Sequence, residues 1–347
     1  MSNHNQNNFI HGLRQLYKIL LVSTSAVVVL SLLVSFYASG MMKEFFSRNG
    51  TVDVYEYDYG VSNLKGFEKE EAITYGYELF KSTQKYLGPD SESEQMNFAG
   101  NRLSCNNCHL QMGTKPYAAP LIGIVQRFPQ FRNRENKLGT LEERINGCMQ
   151  RSMNGRVLPE DSKEMKAFIA YLEWLSRYAP DDGRIEGQGF VKIQIPNRPV
   201  NLKHGKEVFV NRCTECHGNN GQGKMGEDGY LYQYPPLWGE DSYNNGAGMT
   251  RVITAANFIK ANMPYGTTYE APVLTDEEAY DVAGFINQQN RPEKKNLDVD
   301  FPDLKKKPVS TPYGPYTDNF SEQEHQLGPF QPIMEYYKKE YNLIKNQ

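Results

Sequence analysis

The sequence predicts a mainly α-helical protein with two tandem domains of one layout, one N-terminal transmembrane helix and an extended C-terminal tail. Three observations predict this class: a long apolar run near the N-terminus, a cysteine motif that occurs twice, and similar helical segments around each copy of that motif. The chain has 347 residues, which is enough for about two domains with additional segments.

The composition is that of a folded protein, with 39% hydrophobic and 23% charged residues. The 38 basic and 41 acidic side chains give a formal net charge of -3, so the composition does not favour nucleic-acid binding. The mean hydropathy of -0.65 excludes a protein with many membrane spans.

One apolar run near the N-terminus predicts a membrane helix. No charged residue lies between Lys18 and Lys43, and Ile19–Tyr37 is almost wholly apolar, which matches the roughly 20 residues that a transmembrane helix needs. Arg14 and Lys18 precede this run. The positive-inside rule therefore places the N-terminus in the cytoplasm and the rest of the chain outside it.

We therefore expect a single-pass protein of the inner membrane whose folded domains lie in the periplasm. The predicted segments are a cytoplasmic N-terminus over residues 1–16, an anchor over 17–40 and a juxtamembrane linker over 41–65. A cleaved signal peptide, with Ala38-Ser39-Gly40 as its cleavage site, is the alternative. Both interpretations give the same compartment.

Four of the five cysteines lie in two C-x-x-C-H motifs, Cys105–His109 and Cys213–His217. This spacing is the attachment motif of c-type haem, in which both thiols bond to the vinyl groups and the adjacent histidine binds the iron. Because the whole motif occurs twice, two haem c groups are favoured over two disulfides or a zinc site. The predicted cofactor-binding residues are Cys105, Cys108, His109, Cys213, Cys216 and His217.

Each haem motif is flanked by the same succession of elements. A helix precedes it, a proline-led turn follows it at Pro120 or Pro235, and an amphipathic helix ends the half. This order resembles the class I cytochrome c fold. The predicted helices are Glu70–Tyr86 and Ser162–Tyr178 in the first half, and His204–Asn211 and Thr275–Gln289 in the second.

The region after the second half has a different composition, with seven prolines between Pro292 and Pro332. Because aromatic residues accompany these prolines, we expect an extended tail wrapped on the two domains, with free disorder as the alternative. The predicted boundaries are domain 1 over residues 66–184, which holds the first haem, a linker over 185–199, domain 2 over 200–291, which holds the second haem, and the tail over 292–347.

In a class I cytochrome c, the second axial ligand of the iron lies between the proline-led turn and the last helix. In the second half Met263 lies 27 residues after Pro236 and is followed by a proline. We therefore predict iron ligation by His217 and Met263, with Met225 and Met249 as alternatives.

The same spacing in the first half leads to the fifth cysteine. Cys148 lies 28 residues after Pro120, and His109 is the only histidine in this domain. We predict iron ligation by His109 and Cys148, with Met153, Met149 or a buried inert thiol as alternatives. A thiolate ligand should lower the potential of this haem relative to a His/Met haem, which favours electron transfer from the first haem to the second.

The segment around Cys148 predicts a helix that presents cations beside the thiol. Thr140–Met153 carries Thr140 as N-cap and Glu143 as the partner in a capping box. Arg144, Cys148 and Ser152 are spaced i, i+4 and i+8 and share one face. Gly147 would allow close approach of the porphyrin.

Several arginines surround this face. Arg151 flanks it, and Arg132 and Arg134 lie just upstream. Guanidinium groups favour an ionised thiol and bind oxyanions. The alternative is that they bind haem propionates or form surface pairs with Glu135, Glu142 or Glu143.

At this point the sequence resembles the diheme thiosulfate dehydrogenases over roughly residues 66–335. The resemblance rests on Arg134, the segment Arg144–Gly155, both haem motifs and the loop Asn262–Gly266. Parts of the tail, including His325–Phe330, also match the family's pattern.

The resemblance implies an enzyme that oxidises two thiosulfate ions to tetrathionate with release of two electrons, a reaction that some members run backwards. It implies Cys148 as the catalytic thiol and the anchor as a means of electron delivery to a membrane respiratory complex or a small cytochrome. Asn262 stands where some members have a lysine ligand, and Lys260 is two residues away. The predicted catalytic set is Cys148, Arg134, Arg144, Ser152 and Arg151.

Two other functions are compatible with the same motifs. A membrane-anchored diheme electron-transfer subunit without its own substrate would need neither a thiolate nor an arginine cluster. A sulfur-carrier cytochrome would hold a sulfur adduct on its cysteine for a partner enzyme.

Overall fold

The computed structural model describes residues 2–38, 53–227 and 229–345. It divides into two compact units, Met1–Val52 and Asp53–Gln347. The mainly α-helical class is confirmed, with two short β-hairpins as the only sheets among the described residues.

The first unit contains one helix, α1, at Ser2–Ala38. Its segment Gly12–Ser35 has a mean hydropathy of 2.1 and no buried residue, so by length and composition it is apolar enough to cross a membrane. The predicted anchor over 17–40 coincides with most of this helix. The predicted linker over 41–65 lies partly outside the described residues.

The remainder of that linker packs on the second unit. Val54 and Leu64 are each 1% exposed, and the Tyr55 hydroxyl donates to the Glu186 carbonyl at 2.6 Å. Residues 53–64 therefore belong to the folded unit rather than to a free connection.

The first half of the second unit follows the predicted order of helices. Thr140, with Glu143 in a capping box, and Ser162 cap their helices. An antiparallel hairpin pairs Phe131 with Leu138 and precedes the helix that carries Cys148. The elements are α2 (Glu70–Lys81), α3 (Thr83–Leu87), α4 (Leu110–Gly113), β1 (Gln130–Arg132), β2 (Lys137–Gly139), α5 (Leu141–Arg151) and α6 (Lys163–Ser176).

The second half repeats this layout, and Thr275 caps its last helix. Its two-residue strand pairs antiparallel with Tyr232–Tyr234. The elements are α7 (Leu202–Arg212), α8 (Thr214–His217), β3 (Lys224–Met225), β4 (Tyr232–Tyr234), α9 (Val252–Asn262) and α10 (Asp276–Asn287).

The first and last helices of each half cross at a glycine. A Cβ atom on Gly76 in α2 would lie 2.0 Å from the Ala167 carbonyl oxygen in α6. A Cβ on Gly205 in α7 would lie 2.1 Å from the Asp281 carbonyl oxygen in α10. Both contacts are too short for any side chain, so glycine lets the two backbones touch in each half.

The tail packs along both halves. The Phe301 amide donates to the Arg134 carbonyl at 2.7 Å, and the Val200 amide donates to the Leu327 carbonyl at 2.8 Å. Phe330 is fully buried in the core of the second half. The extended tail is confirmed, but it ends in two helices that the sequence did not predict, α11 (Glu322–Leu327) and α12 (Phe330–Tyr341).

Candidate active site

The first C-x-x-C-H motif lines a cavity between α5 and α6. Cys105, Cys108, His109 and Cys148 share this cavity, whose other walls are largely apolar. None of the five cysteines forms a disulfide. His109 Nδ1 donates to the Ala119 carbonyl at 2.7 Å. That bond leaves Nε2 as the nitrogen available to a metal.

Cys148 comes from α5 and lines the same cavities as the His109 ring. Burial raises the pKa of the Cys148 thiol, but Arg144, His109 and Arg132 together outweigh burial and hold it at about 6. A Cβ on Gly147 would have only an Arg151 nitrogen nearby, at 3.9 Å, so that turn of α5 leaves room for a planar group. These residues fit a haem that Cys105 and Cys108 would bind covalently and that His109 and Cys148 would ligate.

The competing methionines lie in the same region. Met149 and Met153 are 1% and 3% exposed and belong to the hydrophobic core of the first half. Both also line the cavity of the first motif. Cys148 also lines the arginine-rich cavity beside His109, whereas neither methionine does.

The second motif lines a cavity of about 560 Å³ together with Met263. His217 Nδ1 donates to the Pro235 carbonyl at 2.8 Å. Burial lowers the pKa of His217, which favours the neutral ring that a metal requires. Met225 lies on β3, 38% exposed, and is absent from the lining, whereas Met249 is part of it. The cavity fits a haem held by two thiols, His217 and a methionine.

The two haem cavities adjoin each other. Cys108 lines both, and Met249 lies at the first cavity as well as the second. Asn262 Nδ2, beside Met263, donates across the halves to the Tyr117 carbonyl at 3.0 Å. Lys260 is ion-paired with Asp276 at 2.8 Å, so it has a partner other than the iron site.

A third cavity, of about 410 Å³, extends from Cys148 and His109 and carries the predicted cations. The structure brings the whole predicted catalytic set together there. The lining includes Arg132, Arg134, Arg144, Cys148, Arg151 and Ser152.

Two of these arginines are held by a carboxylate that the sequence analysis missed. Asp300 of the tail, 3% exposed, lies 2.5 Å from Arg134 Nη1 and 2.6 Å from Arg151 Nη2. The Tyr313 hydroxyl donates to Asp300 at 2.8 Å. Burial raises the pKa of Asp300, but the two guanidinium groups outweigh burial and lower it. Because 149 residues separate Asp300 from Arg151 in sequence, no local pattern signals the pair.

Only some of the ion pairs expected between the arginines near Cys148 and the neighbouring glutamates form. Arg132 lies 3.6 Å from Glu135, while Glu143 pairs with Lys137. Within the described residues Arg144 has no ion pair. It therefore remains a free cation beside Cys148, which favours an anion at this position.

The second half also contributes to this cavity, through Arg251 and Thr254. Sequence analysis did not identify either residue. Arg251 precedes α9, in the half that the haem motifs assign to electron transfer, and only the packing of the two halves brings it to Cys148.

The fold and the two cavities define a diheme c-type cytochrome. A family model described as the SoxA/TsdA cytochrome c domain matches residues 95–180, and a cytochrome c model matches residues 202–290. Two cytochrome c domains carry two covalently bound haem c groups, one at each motif.

Curated relatives specify the family. The chain is 42% identical over 241 residues to a thiosulfate dehydrogenase of Psychrobacter arcticus, which covers 70% of each chain. It is 42% identical over 213 residues to that of Allochromatium vinosum, which covers 60% of this chain and 77% of the relative. This chain belongs to the diheme thiosulfate dehydrogenase family.

A solved structure agrees with this assignment. The thiosulfate dehydrogenase (TsdBA) from Marichromatium purpuratum, in its "as isolated" form, superposes with a TM-score of 0.60 at 33% identity. The match covers 66% of this chain and 48% of that one, so this chain spans about half the length of the solved relative.

Proposed function

We propose that this protein is a membrane-anchored thiosulfate dehydrogenase that oxidises two thiosulfate ions to tetrathionate and passes two electrons to an external acceptor. The observation that carries the proposal is the Cys148 thiol, which shares with the His109 ring a cavity lined by arginines. An electron-transfer subunit without a substrate needs no such cavity.

The proposed iron ligands are His109 and Cys148 in the first half and His217 and Met263 in the second. Bound haem c supplies one-electron redox chemistry, so the two haems together can take up the two electrons of one turnover. The Ala119 carbonyl orients His109 and the Pro235 carbonyl orients His217, because each fixes the proton on Nδ1.

Cys148 is the proposed catalytic thiol. Its thiolate and the outer sulfur of one thiosulfate form a sulfur–sulfur bond and give up two electrons, which leaves a protein–S–S–SO₃⁻ adduct. The outer sulfur of a second thiosulfate then attacks the middle sulfur of the adduct, which is bonded to both the Cys148 sulfur and the SO₃ group. Tetrathionate forms, the Cys148 thiolate is released, and charge and atoms balance. Run backwards, the same steps reduce tetrathionate.

Arg144 and Ser152 are the proposed contacts for the SO₃ group of the thiosulfate at Cys148. Both share a face of α5 with the thiol and line its cavity. Arg134 and Arg151 complete the cationic wall, but their ion pairs with Asp300 offset one unit of charge. Asp300 therefore fixes the geometry of these two guanidinium groups rather than adding affinity.

The second haem is the proposed exit for electrons. Tyr265, two residues after Met263, lines its cavity and is 83% exposed, so this cavity reaches the surface where a small cytochrome or a membrane complex can approach. We propose that α1 anchors the protein in the inner membrane with both haem domains in the periplasm, because c-type haem is attached outside the cytoplasm.

The test is the visible spectrum of the purified ferric protein before and after thiosulfate, with tetrathionate assayed in the same tube. We expect haem reduction and tetrathionate formation. Cys148→Ala should abolish both and leave the spectrum of the second haem unchanged, while Met153→Leu should retain turnover. A wild-type spectrum that thiosulfate leaves unchanged, in protein that dithionite still reduces, would contradict thiosulfate oxidation. Activity only with an added partner enzyme would favour a sulfur carrier.

A further inference from the structure

We propose that Arg251 and Thr254, from the second half, form a second anion subsite in the Cys148 cavity, which binds the SO₃ group of the second thiosulfate. The same position would hold the far end of tetrathionate. This inference rests on the proposed function, because it assigns a place to the second of the two substrate ions.

The Arg251 guanidinium is a cation without a carboxylate partner in the described part of the chain. Its Nε donates to the Gly248 carbonyl at 3.3 Å, and the residue lines the cavity of Cys148. Burial, and then Arg134 and Arg144, lower the pKa of Arg251 to about 10. The group therefore stays charged at neutral pH, and an unpaired charge within a protein is costly unless an anion compensates it.

Thr254 provides an independent indication of a ligand. It is 6% exposed, it lines the same cavity, and its hydroxyl has no partner among the described residues. Thr254 lies three positions after Arg251, which is the N-cap of α9, and both residues line the cavity. A guanidinium and a hydroxyl from neighbouring positions resemble the Arg144 and Ser152 pair of the first half.

The chemistry of the reaction requires two such pairs. Tetrathionate carries an SO₃ group at each end, so the two thiosulfate ions that meet at Cys148 need two cationic positions. Arg134 and Arg151 share Asp300, which leaves Arg144 and Arg251 as the arginines of the cavity without an acidic partner in the described residues. One comes from each half of the molecule.

A haem carboxylate has the same anionic oxygen chemistry and is the competing occupant. The two occupants are separable by experiment. If the pair binds an SO₃ group, substitutions there should weaken tetrathionate binding. If it binds a haem carboxylate, they should instead change how the reduction potential of the first haem depends on pH.

The experiment uses the full-length holoprotein with Arg251→Gln, Arg251→Lys and Thr254→Val. Arg184→Gln is the matched control, since Arg184 is 83% exposed outside the cavity. The dissociation constant of tetrathionate is measured on the fully oxidised protein, where no turnover occurs. We expect it to rise about tenfold or more in Arg251→Gln, which corresponds to the loss of one charge-assisted hydrogen bond. Arg251→Lys should restore part of the affinity, and the control should bind as wild type does.

Two results would overturn the subsite. One is a tetrathionate affinity in Arg251→Gln within twofold of wild type. The other is an altered pH dependence of the first haem's potential in Thr254→Val, a change that removes no charge, because this would assign the pair to the haem carboxylates. A wild-type protein that neither binds tetrathionate nor forms it would instead contradict the proposed function, and the subsite would fall with it.

Discussion

At the scale of single residues, the site combines one thiol with arginines in two electrostatic states. Arg134 and Arg151 share Asp300, whereas Arg144 and Arg251 line the cavity without an acidic partner in the described part of the chain. A count of arginines near Cys148 in the sequence therefore overestimates the charge available to a substrate. The Asp300 carboxylate of the tail neutralises part of that charge.

The role of Asp300 leads to a prediction about substrate binding. Asp300→Asn removes the charge that holds Arg134 and Arg151, so both side chains lose their fixed geometry. We expect kcat/KM for thiosulfate to fall about tenfold, mainly through KM, because a buried charged hydrogen bond is worth about 1.5–3 kcal/mol. Steady-state kinetics on the holoprotein measures the change.

The control for this variant lies two residues away. Asp298→Asn makes the same chemical change at an exposed position and should leave KM unchanged. An Asp300→Asn protein with wild-type KM would show that the ion pairs only stabilise the tail. A lower KM would show instead that the freed arginines bind the substrate directly.

At the scale of elements, the helices were predictable because their signals are local. Thr140, with Glu143 in a capping box, occupies an N-cap as expected. Ser162 and Thr275 cap the last helix of each half, and each cap is followed by an apolar periodicity that reaches the core. The tail helices α11 and α12 were missed because prolines and aromatic residues around them indicate extended structure. Their burial against the second half stabilises the helical conformation.

The residues that complete the site had no comparable local signal. Asp300 and Arg251 are far from Cys148 in sequence, and only the packing of the tail and of the second half brings them to it. The repeat of the haem motif predicts two equivalent domains, and it gives no reason for one domain to contribute to the cavity of the other. The site residues close to Cys148 in sequence could therefore be predicted, whereas Asp300 of the tail and Arg251 of the second half could not.

A buried carboxylate in α10 makes the packing of α7 against α10 depend on pH. Asp281 is fully buried and accepts hydrogen bonds from Arg198 at 2.7 Å, from the His204 ring at 2.8 Å and from the Asn201 amide at 2.8 Å. Burial raises the pKa of Asp281, but these bonds outweigh burial and lower it. The carboxylate therefore holds the start of α7 against α10.

We expect Asp281→Asn to lower the free energy of unfolding by about 2–3 kcal/mol at pH 7. Because the folded pKa lies below the value of about 3.9 in an unfolded chain, the stabilisation is complete above that pH and is lost as pH falls through the folded pKa. Thermal unfolding of the wild type and of Asp281→Asn should show a difference in Tm at pH 7 that becomes smaller at pH 3. Glu277→Gln, which removes an exposed partner of Arg198 at 3.3 Å, should cost less than about 0.5 kcal/mol.

At the scale of the whole molecule, the described chain separates into an apolar helix and a compact unit that contains both haem cavities. The tail, the residues from Val54 to Leu64 and both halves all belong to that compact unit. The candidate active site and the proposed membrane anchor thus belong to different units. We therefore expect the compact unit to retain its activity when the apolar helix is removed.

We expect the full-length protein to stay with the membrane fraction after a carbonate wash, since Gly12–Ser35 is apolar and its side chains are unburied. A chain that begins at Asp53, exported with a cleavable signal, should be soluble and carry both haems, with an unchanged kcat towards a soluble electron acceptor. Only its rate towards membrane-bound acceptors should fall, because the proposed anchor would hold the protein at the membrane. Sedimentation, haem content and activity with each class of acceptor test this. A mature N-terminus found after Gly40 would establish a cleaved signal in place of the anchor, and an inactive Asp53 chain with intact haems would show that α1 takes part in catalysis.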